Sequence, residues 1–407
     1  MPPAPARPPD PSPLPSRRRA ARPARLQHPL ALLIAALLGA TTLAPALAEA
    51  GSSRRASAGK PGGQAAQRKA QTKTGARTAK APTAARASDG VPYGQREDAM
   101  ALADLLAERH GLDPAWARAQ LAQARFVPAV ARLIMPPPAG VAKNWAAYRA
   151  RFIEPARVAA GAAFWAANDA WLAAAEARYG VPAEVVVGIV GVETFYGRVT
   201  GSFRVLDALA TLSLDFPTGR KDRSPFFRDE LGQFLRLAAT EQLPVAGVQG
   251  SFAGAIGLGQ FMPGSINRFA VDFDGNGHID MAASPADVIG SIAHYLAEHG
   301  WQRGQPTHFA VKPPVDTADR AALLAPDILP SFSAAQLAER GAVLDEAGRA
   351  HAGPLALVEL QNGDAAPSYL AGTQNFYAVT RYNWSAYYAL AVIELGQAVA
   401  AARAAGR

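Results

Sequence analysis

The chain has 407 residues, 49% of them apolar and 18% charged, a formal net charge of +8 and no cysteine. That length allows two or three compact units at roughly 150 residues each. The missing cysteines exclude disulfide scaffolds, thiol nucleophiles, Cys-ligated zinc and a lipidated cysteine anchor. The charge is uneven: residues 1–90 hold 15 Lys and Arg against 3 Asp and Glu, the rest 26 against 30, and all 32 aromatic residues lie beyond residue 90. The basic excess therefore belongs to a segment that cannot build a core. The remainder, net −4, carries no basic patch with interleaved aromatics, which excludes nucleic acid as a partner.

In chain order, Arg17, Arg18, Arg19, Arg22 and Arg25 precede an apolar run from Leu30 to Leu43 and then Ala46-Leu47-Ala48. A basic start, a short apolar stretch and a small-x-small site predict a signal peptide over 1–48, cleaved after Ala48. The run is too short to span a membrane comfortably, so a retained signal anchor is the second reading, and after cleavage no stable membrane span is expected. Residues 49–92, rich in Ala, Gly, Ser, Thr, Lys and Arg, read as a disordered basic linker with nothing to bury.

Residues 93–407 have a globular composition. Apolar residues at three- and four-residue spacing predict helices over 98–110, 114–124 and 155–179. Gly180-Val181-Pro182 ends one helix and starts the next, over VPAEVVVGIVGVETFYG. Further helices are expected over 226–241, 285–298 and 384–402. Between 307 and 379 the pattern changes to short alternating runs, THFAVKP, PLALVEL and NFYAVTR, which predict a small β-containing portion. The fold class expected is α+β, predominantly helical.

Glu193 stands out because it closes an apolar run from Val185 to Val192. A carboxyl group on such a helix loses hydration when ionised, so it is expected to hold a proton near neutral pH, as a general acid must. Downstream, GSFAGAIGLGQFMP from Gly250 to Pro263 is glycine-rich, with Ser251 and Gln260 as isolated polar groups. Such a loop brings backbone amides close to a polar ligand, and Gln260 offers both a donor and an acceptor. No phosphate-loop Lys-Ser/Thr pair follows it, so sugar fits better than phosphate.

These segments, with ALATLSLDFP and NFYAVTRYNWSAYY, resemble in order the lytic murein transglycosylase B family, over about residues 95–400. The resemblance implies a lysozyme-like catalytic core that cuts peptidoglycan glycan strands between N-acetylmuramic acid and N-acetylglucosamine without water, leaving an anhydromuramic end. It implies that Glu193 acts first as acid and then as base. Ser251 and Gln260 would bind the adjoining sugar. Tyr148, Tyr295, Tyr382, Asn383 and Tyr388 would line the glycan groove, where rings can stack on sugars with their hydroxyls left free. A two-carboxylate glycosidase would need a second acid, for which Asp207 and Asp215 are the candidates. Basic residues that the family carries after Phe216-Pro217 are replaced here by Thr218-Gly219 before Arg220 and Lys221.

Asp272-Phe273-Asp274-Gly275-Asn276-Gly277-His278-Ile279-Asp280 matches an EF-hand loop at its first, third, fifth and ninth positions. Gly277 falls at the sixth-position turn and the His278 carbonyl at the seventh. The twelfth position is Ala283 instead of Glu, and the resemblance points to a longer loop closed by Asp287. Structural calcium is the expected cofactor, with no organic cofactor. The function expected is a periplasmic lytic transglycosylase, with a muramidase on the same bond or an inactive peptidoglycan-binding protein as alternatives. The expected partners are glycan strands and other cell-wall enzymes.

Overall fold

The computed structural model describes residues 92–136 and 142–406. The expected signal peptide and, Pro92 apart, the basic linker lie outside the described residues. Helices Glu97–His110 and Pro114–Ala122 form where the apolar spacing places them. The second begins at Asp113, whose carboxylate accepts the Trp116 N–H at 2.7 Å while Pro114 occupies the first turn.

The single helix expected over 155–179 is two helices, Pro155–Ala167 and Asp169–Tyr179. Asn168 separates them with a non-helical backbone (φ −123°, ψ 21°), and its side-chain amide donates to the Phe164 carbonyl at 2.8 Å. The short polar side chain competes with the helix for its own backbone, which apolar periodicity does not register.

Helix Ala183–Thr194 is buried at every position except Glu184. Its main partner is the C-terminal helix, Ala386–Ala405. Glycines permit the close crossing: a Cβ on Gly188 would sit 2.2 Å from the Val392 carbonyl oxygen, and one on Gly396 would sit 2.2 Å from that of Glu184. A helix that is apolar all round belongs in a core. The C-terminal helix, among the described residues the one long and apolar enough to cross a membrane, has half of its most apolar stretch buried.

The β portion is a four-stranded antiparallel sheet, in the order Val343–Leu344, His308–Lys312, Ala365–Gly372, Ala356–Asn362. Leu357 lies opposite Ala371, and both pack on Leu323 and Leu337 in a small separate core. Their neighbours Val358 and Leu370 point the other way, into the main core. The two-residue period of a strand thus makes this sheet a wall between two apolar clusters. NFYAVTR, expected as a strand, is instead the helix Gln374–Thr380. The Thr373 hydroxyl caps it by accepting from the Asn375 and Phe376 N–H groups, and this cap overrides the β-favouring composition.

Candidate active site

Glu193 lies in the last turn of the Ala183–Thr194 helix with 7% of its surface exposed. Its Oε1 accepts the Tyr388 hydroxyl at 2.7 Å, and its Oε2 has no partner among the described residues. Burial pushes its pKa up to about 8, against a smaller lowering by the Tyr388 hydrogen bond. Tyr388 comes from the C-terminal helix, whose start is capped by Ser385. Burial and the nearby Glu193 charge both raise the Tyr388 phenol pKa, so it stays a donor.

The helix ends immediately beyond the carboxylate, and abruptly. Phe195 and Tyr196 take left-handed backbones (φ 51° and 56°), and the Tyr196 N–H reaches the Val190 carbonyl at 3.3 Å. Two consecutive non-glycine residues in this region are costly, and such strain gathers at functional sites. Arg157, 7% exposed, secures the turn. Its guanidinium donates to the Gly191 carbonyl at 2.7 Å and lies over the Phe195 ring, 4.3 Å from the centroid. A cation at a helix C-terminus also complements the helix dipole.

The glycine-rich loop lies beside this turn. Thr194 Oγ1 donates to the Leu258 carbonyl at 2.9 Å and accepts the Gly197 N–H at 3.0 Å. Ser251 is fully buried, and its hydroxyl oxygen accepts the Ala253 and Ala255 N–H groups. Gln260, in a left-handed backbone (φ 50°), gives its amide N–H groups to the Thr200 and Gly257 carbonyls at 3.0 and 2.8 Å. Both side chains therefore hold the loop's own shape.

The tyrosines divide into two kinds. Tyr148, half-buried among Trp145, Phe152 and Tyr387, is close enough to Glu193 for that charge to raise its pKa, after the larger effect of burial. Tyr382 stacks on Tyr388 and donates its hydroxyl to the Gly259 carbonyl. Tyr295 donates to the Arg381 carbonyl at 2.6 Å and stacks on His299. The hydroxyls of Tyr295 and Tyr382, expected to be free, are thus engaged by backbone carbonyls: buried phenols need an acceptor, and the nearest ones are main-chain. Asn383 is buried, and its Oδ1 has no partner among the described residues.

The two candidates for a second acid are committed elsewhere. Asp207 accepts the Arg125 N–H at 3.0 Å and pairs with Arg204, and Asp215 accepts from Tyr93 and Arg96. Both anchor the N-terminal helices.

Two contributors escape the sequence patterns. One is Arg157. The other is Glu230, buried on helix Ser224–Thr240, whose Oε2 accepts the Gly264 N–H at 2.7 Å. Glu230 so holds the start of helix Pro263–Phe269, which follows the glycine-rich loop. Burial pushes its pKa up to about 7. The signal for Glu230 is a carboxylate within the apolar stripe Phe227, Leu231, Phe234; Arg157 similarly interrupts an Ala-rich helix.

In the Asp272–Asp287 segment, Asp272, Asp274 and Asp287 bring one carboxylate oxygen each within 4.8 Å of one another. Asp287 is fully buried and accepts the Phe273 and Asp280 N–H groups, both at 2.8 Å. Asp272 accepts from Gly275, Asn276 and Gly277. Asn276 Oδ1 accepts the His278 N–H, the His278 ring faces Glu241 at 3.5 Å, and Asp280 caps the turn at Ala282–Ala283. Three close carboxylates with no basic side chain hydrogen-bonded to them form a donor set suited to a hard, oxygen-seeking cation. Asp280 stands outside that cluster.

The transglycosylase SLT domain matches residues 94–397. The membrane-bound lytic murein transglycosylase B of Escherichia coli K12 is 40% identical over 327 residues, covering 77% of this chain and 86% of that protein. The structure of E. coli lytic transglycosylase Slt35 in complex with calcium has a TM-score of 0.66 at 39% identity, covering 77% of this chain and 96% of that one. Pseudomonas aeruginosa SltB3 in complex with NAG-anhNAM-pentapeptide gives 0.63 at 30% identity, covering 73% and 78%. With both the domain and a close relative covering most of its length, the chain belongs to the transglycosylase SLT domain family, the lytic murein transglycosylases.

Proposed function

We propose that the protein cleaves peptidoglycan glycan strands between N-acetylmuramic acid and N-acetylglucosamine, with Glu193 as the single acid/base. The observation that carries this reading is the asymmetry of the Glu193 carboxyl group. Tyr388 occupies Oε1, so the acidic proton belongs on Oε2, the oxygen without a partner. Oε2–H protonates the glycosidic oxygen as the C1–O bond breaks. The resulting carboxylate then takes the proton from the muramic C6 hydroxyl as that oxygen bonds to C1, which closes the anhydro ring and restores the acid. The muramic acetamido group assists at C1. Asp207 and Asp215, the two candidates for a second carboxylate, are tied to basic partners, which favours this route over two-carboxylate hydrolysis. SltB3 in complex with an anhydro-sugar peptide supports the substrate class.

Tyr148, Tyr295, Tyr382, Asn383 and Tyr388 line the sugar site in this reading, and Ser251 and Gln260 serve it by holding the adjoining loop in shape. Asn383 Oδ1 is the unsatisfied acceptor for a sugar N–H or hydroxyl, while Tyr295 and Tyr382 act as ring surfaces. Calcium, held by Asp272, Asp274 and Asp287 with Asn276, Asp280 and the His278 carbonyl completing the loop, would supply charge neutralisation that fixes the loop against helix Pro285–Glu298; Slt35 in complex with calcium supports this. The chain is exported to the periplasm, cleaved after Ala48, and works on the wall beside other wall enzymes.

Mass spectrometry of fragments released from isolated sacculi tests the reading. Anhydromuramic ends are expected from the wild type and no release from Glu193→Gln; reducing ends alone would establish a muramidase, and no release by the wild type would leave a binding protein.

A further inference from the structure

Where the chain leaves helices Glu97–His110 and Ser224–Thr240, an open cavity of about 590 Å³ lies between the two exits. Its walls include Trp116, half-buried, with no hydrogen bond to its indole N–H among the described residues. Gln120, one turn further along the same helix, and Gln242 join it, and Asp113 stands at the rim. Gln242 is unusual. Helix Ser224–Thr240 closes with the Leu243 N–H on the Ala238 carbonyl at 2.9 Å, a termination that ordinarily places glycine at its left-handed residue. Here that residue is Gln242, with φ 54°. A side chain is retained at a position where the backbone favours having none.

No lysine or arginine lines the cavity. An indole face with its N–H available, two primary amides and one carboxylate suit an uncharged, hydroxyl-rich ring, not an anion. Leu243 and Pro244 also wall a second cavity, of about 380 Å³, that reaches Thr200 and Gly257. Those are the two residues whose carbonyls hold the Gln260 amide. Leu243 and Pro244 therefore stand between the Trp116 cavity and a cavity bordered by the glycine-rich loop.

We infer that the Trp116–Gln242 cavity is a second saccharide-binding site, taking an N-acetylglucosamine-type ring from a glycan strand away from the bond being cut. This rests on the glycan reading of the Glu193 site. Its test is co-sedimentation with isolated sacculi in a Glu193→Gln parent, so that no cleavage intervenes. Trp116→Ala is expected to weaken binding about tenfold and Gln242→Gly about fivefold, as for loss of a ring contact and of one hydrogen bond. Gln242→Gly also removes the left-handed strain, so its melting temperature should match or exceed the parent's, and the binding loss then cannot come from unfolding. Should Trp116→Ala not fold, Gln242→Gly decides alone. Parental affinity in Gln242→Gly and in any folded Trp116→Ala would overturn the site. Failure of the underlying reading shows separately, as absence of anhydromuramic product from the wild type.

Discussion

Glu193 and Asp287 are both buried carboxylates, and their surroundings are opposite. Among the described residues Glu193 receives one hydrogen bond, from Tyr388, and keeps one oxygen without any. Asp287 receives a backbone N–H on each oxygen and lies beside two further carboxylates. The first environment favours a neutral acid, with burial pushing the pKa to about 8. The second surrounds the Asp287 oxygens with amide N–H donors and gathers carboxylates beside them, as a cation site needs. Burial alone therefore assigns no role to an acid; what decides is how many donors the fold supplies.

The largest expected effect breaks the first environment. Glu193→Gln should lower turnover on sacculi by about 10³-fold or more, the range in which a general acid contributes, and product analysis by mass spectrometry checks it. On the other side of the comparison, Asp287→Ala should cost roughly 2–4 kcal/mol, because two backbone N–H groups lose their acceptors inside the protein. Calorimetry should also show that added calcium raises the wild-type melting temperature and not the variant's. An equal rise in both would remove Asp287 from the metal site.

A smaller effect follows from Tyr388→Phe. Its hydroxyl lowers the Glu193 pKa, so its loss should move the alkaline limb of the pH–rate profile above about 8. The rate should fall by about tenfold, since the acidic proton is no longer directed to one oxygen. A limb that stays in place would show that another group sets it.

A further effect is on stability against pH. Folded Glu193 holds its proton to about pH 8 and folded Glu230 to about 7, above their ordinary value of 4.5. Between those limits the folded state binds more protons than the unfolded one, so stability falls as pH rises. Denaturant titrations of Glu193→Gln and Glu230→Gln should each show a shallower decline across that window. Glu230→Gln should otherwise stay near wild type, because the amide oxygen can still accept the Gly264 N–H.

The helices Glu97–His110, Pro114–Ala122, Ala183–Thr194, Ser224–Thr240, Pro285–Glu298 and Ala386–Ala405, the isolated acid on an apolar helix, the glycine-rich loop and the Asp-Asn-Gly turn were all legible in sequence, because each is a local pattern of residue types. The break at Asn168 and the helix at Gln374–Thr380 were not, since single polar side chains, Asn168 and Thr373, set those boundaries against the surrounding composition. The hydroxyls of Tyr295 and Tyr382 were misjudged for a related reason: which carbonyl a phenol reaches depends on a neighbouring segment far along the chain.

By itself the sequence determined that Glu193 would be dry, since its own helix is apolar on every side. Only the tertiary structure decided which of its oxygens receives a hydrogen bond. That choice rests on Tyr388, 195 residues away, delivered by a helix that glycines at 188 and 396 allow to cross close by. Periodicity records what one element wants to bury. Which donor meets which acceptor is settled only when elements from distant parts of the chain pack, because hydrogen bonds act over a few ångströms and sequence separation carries no such distance.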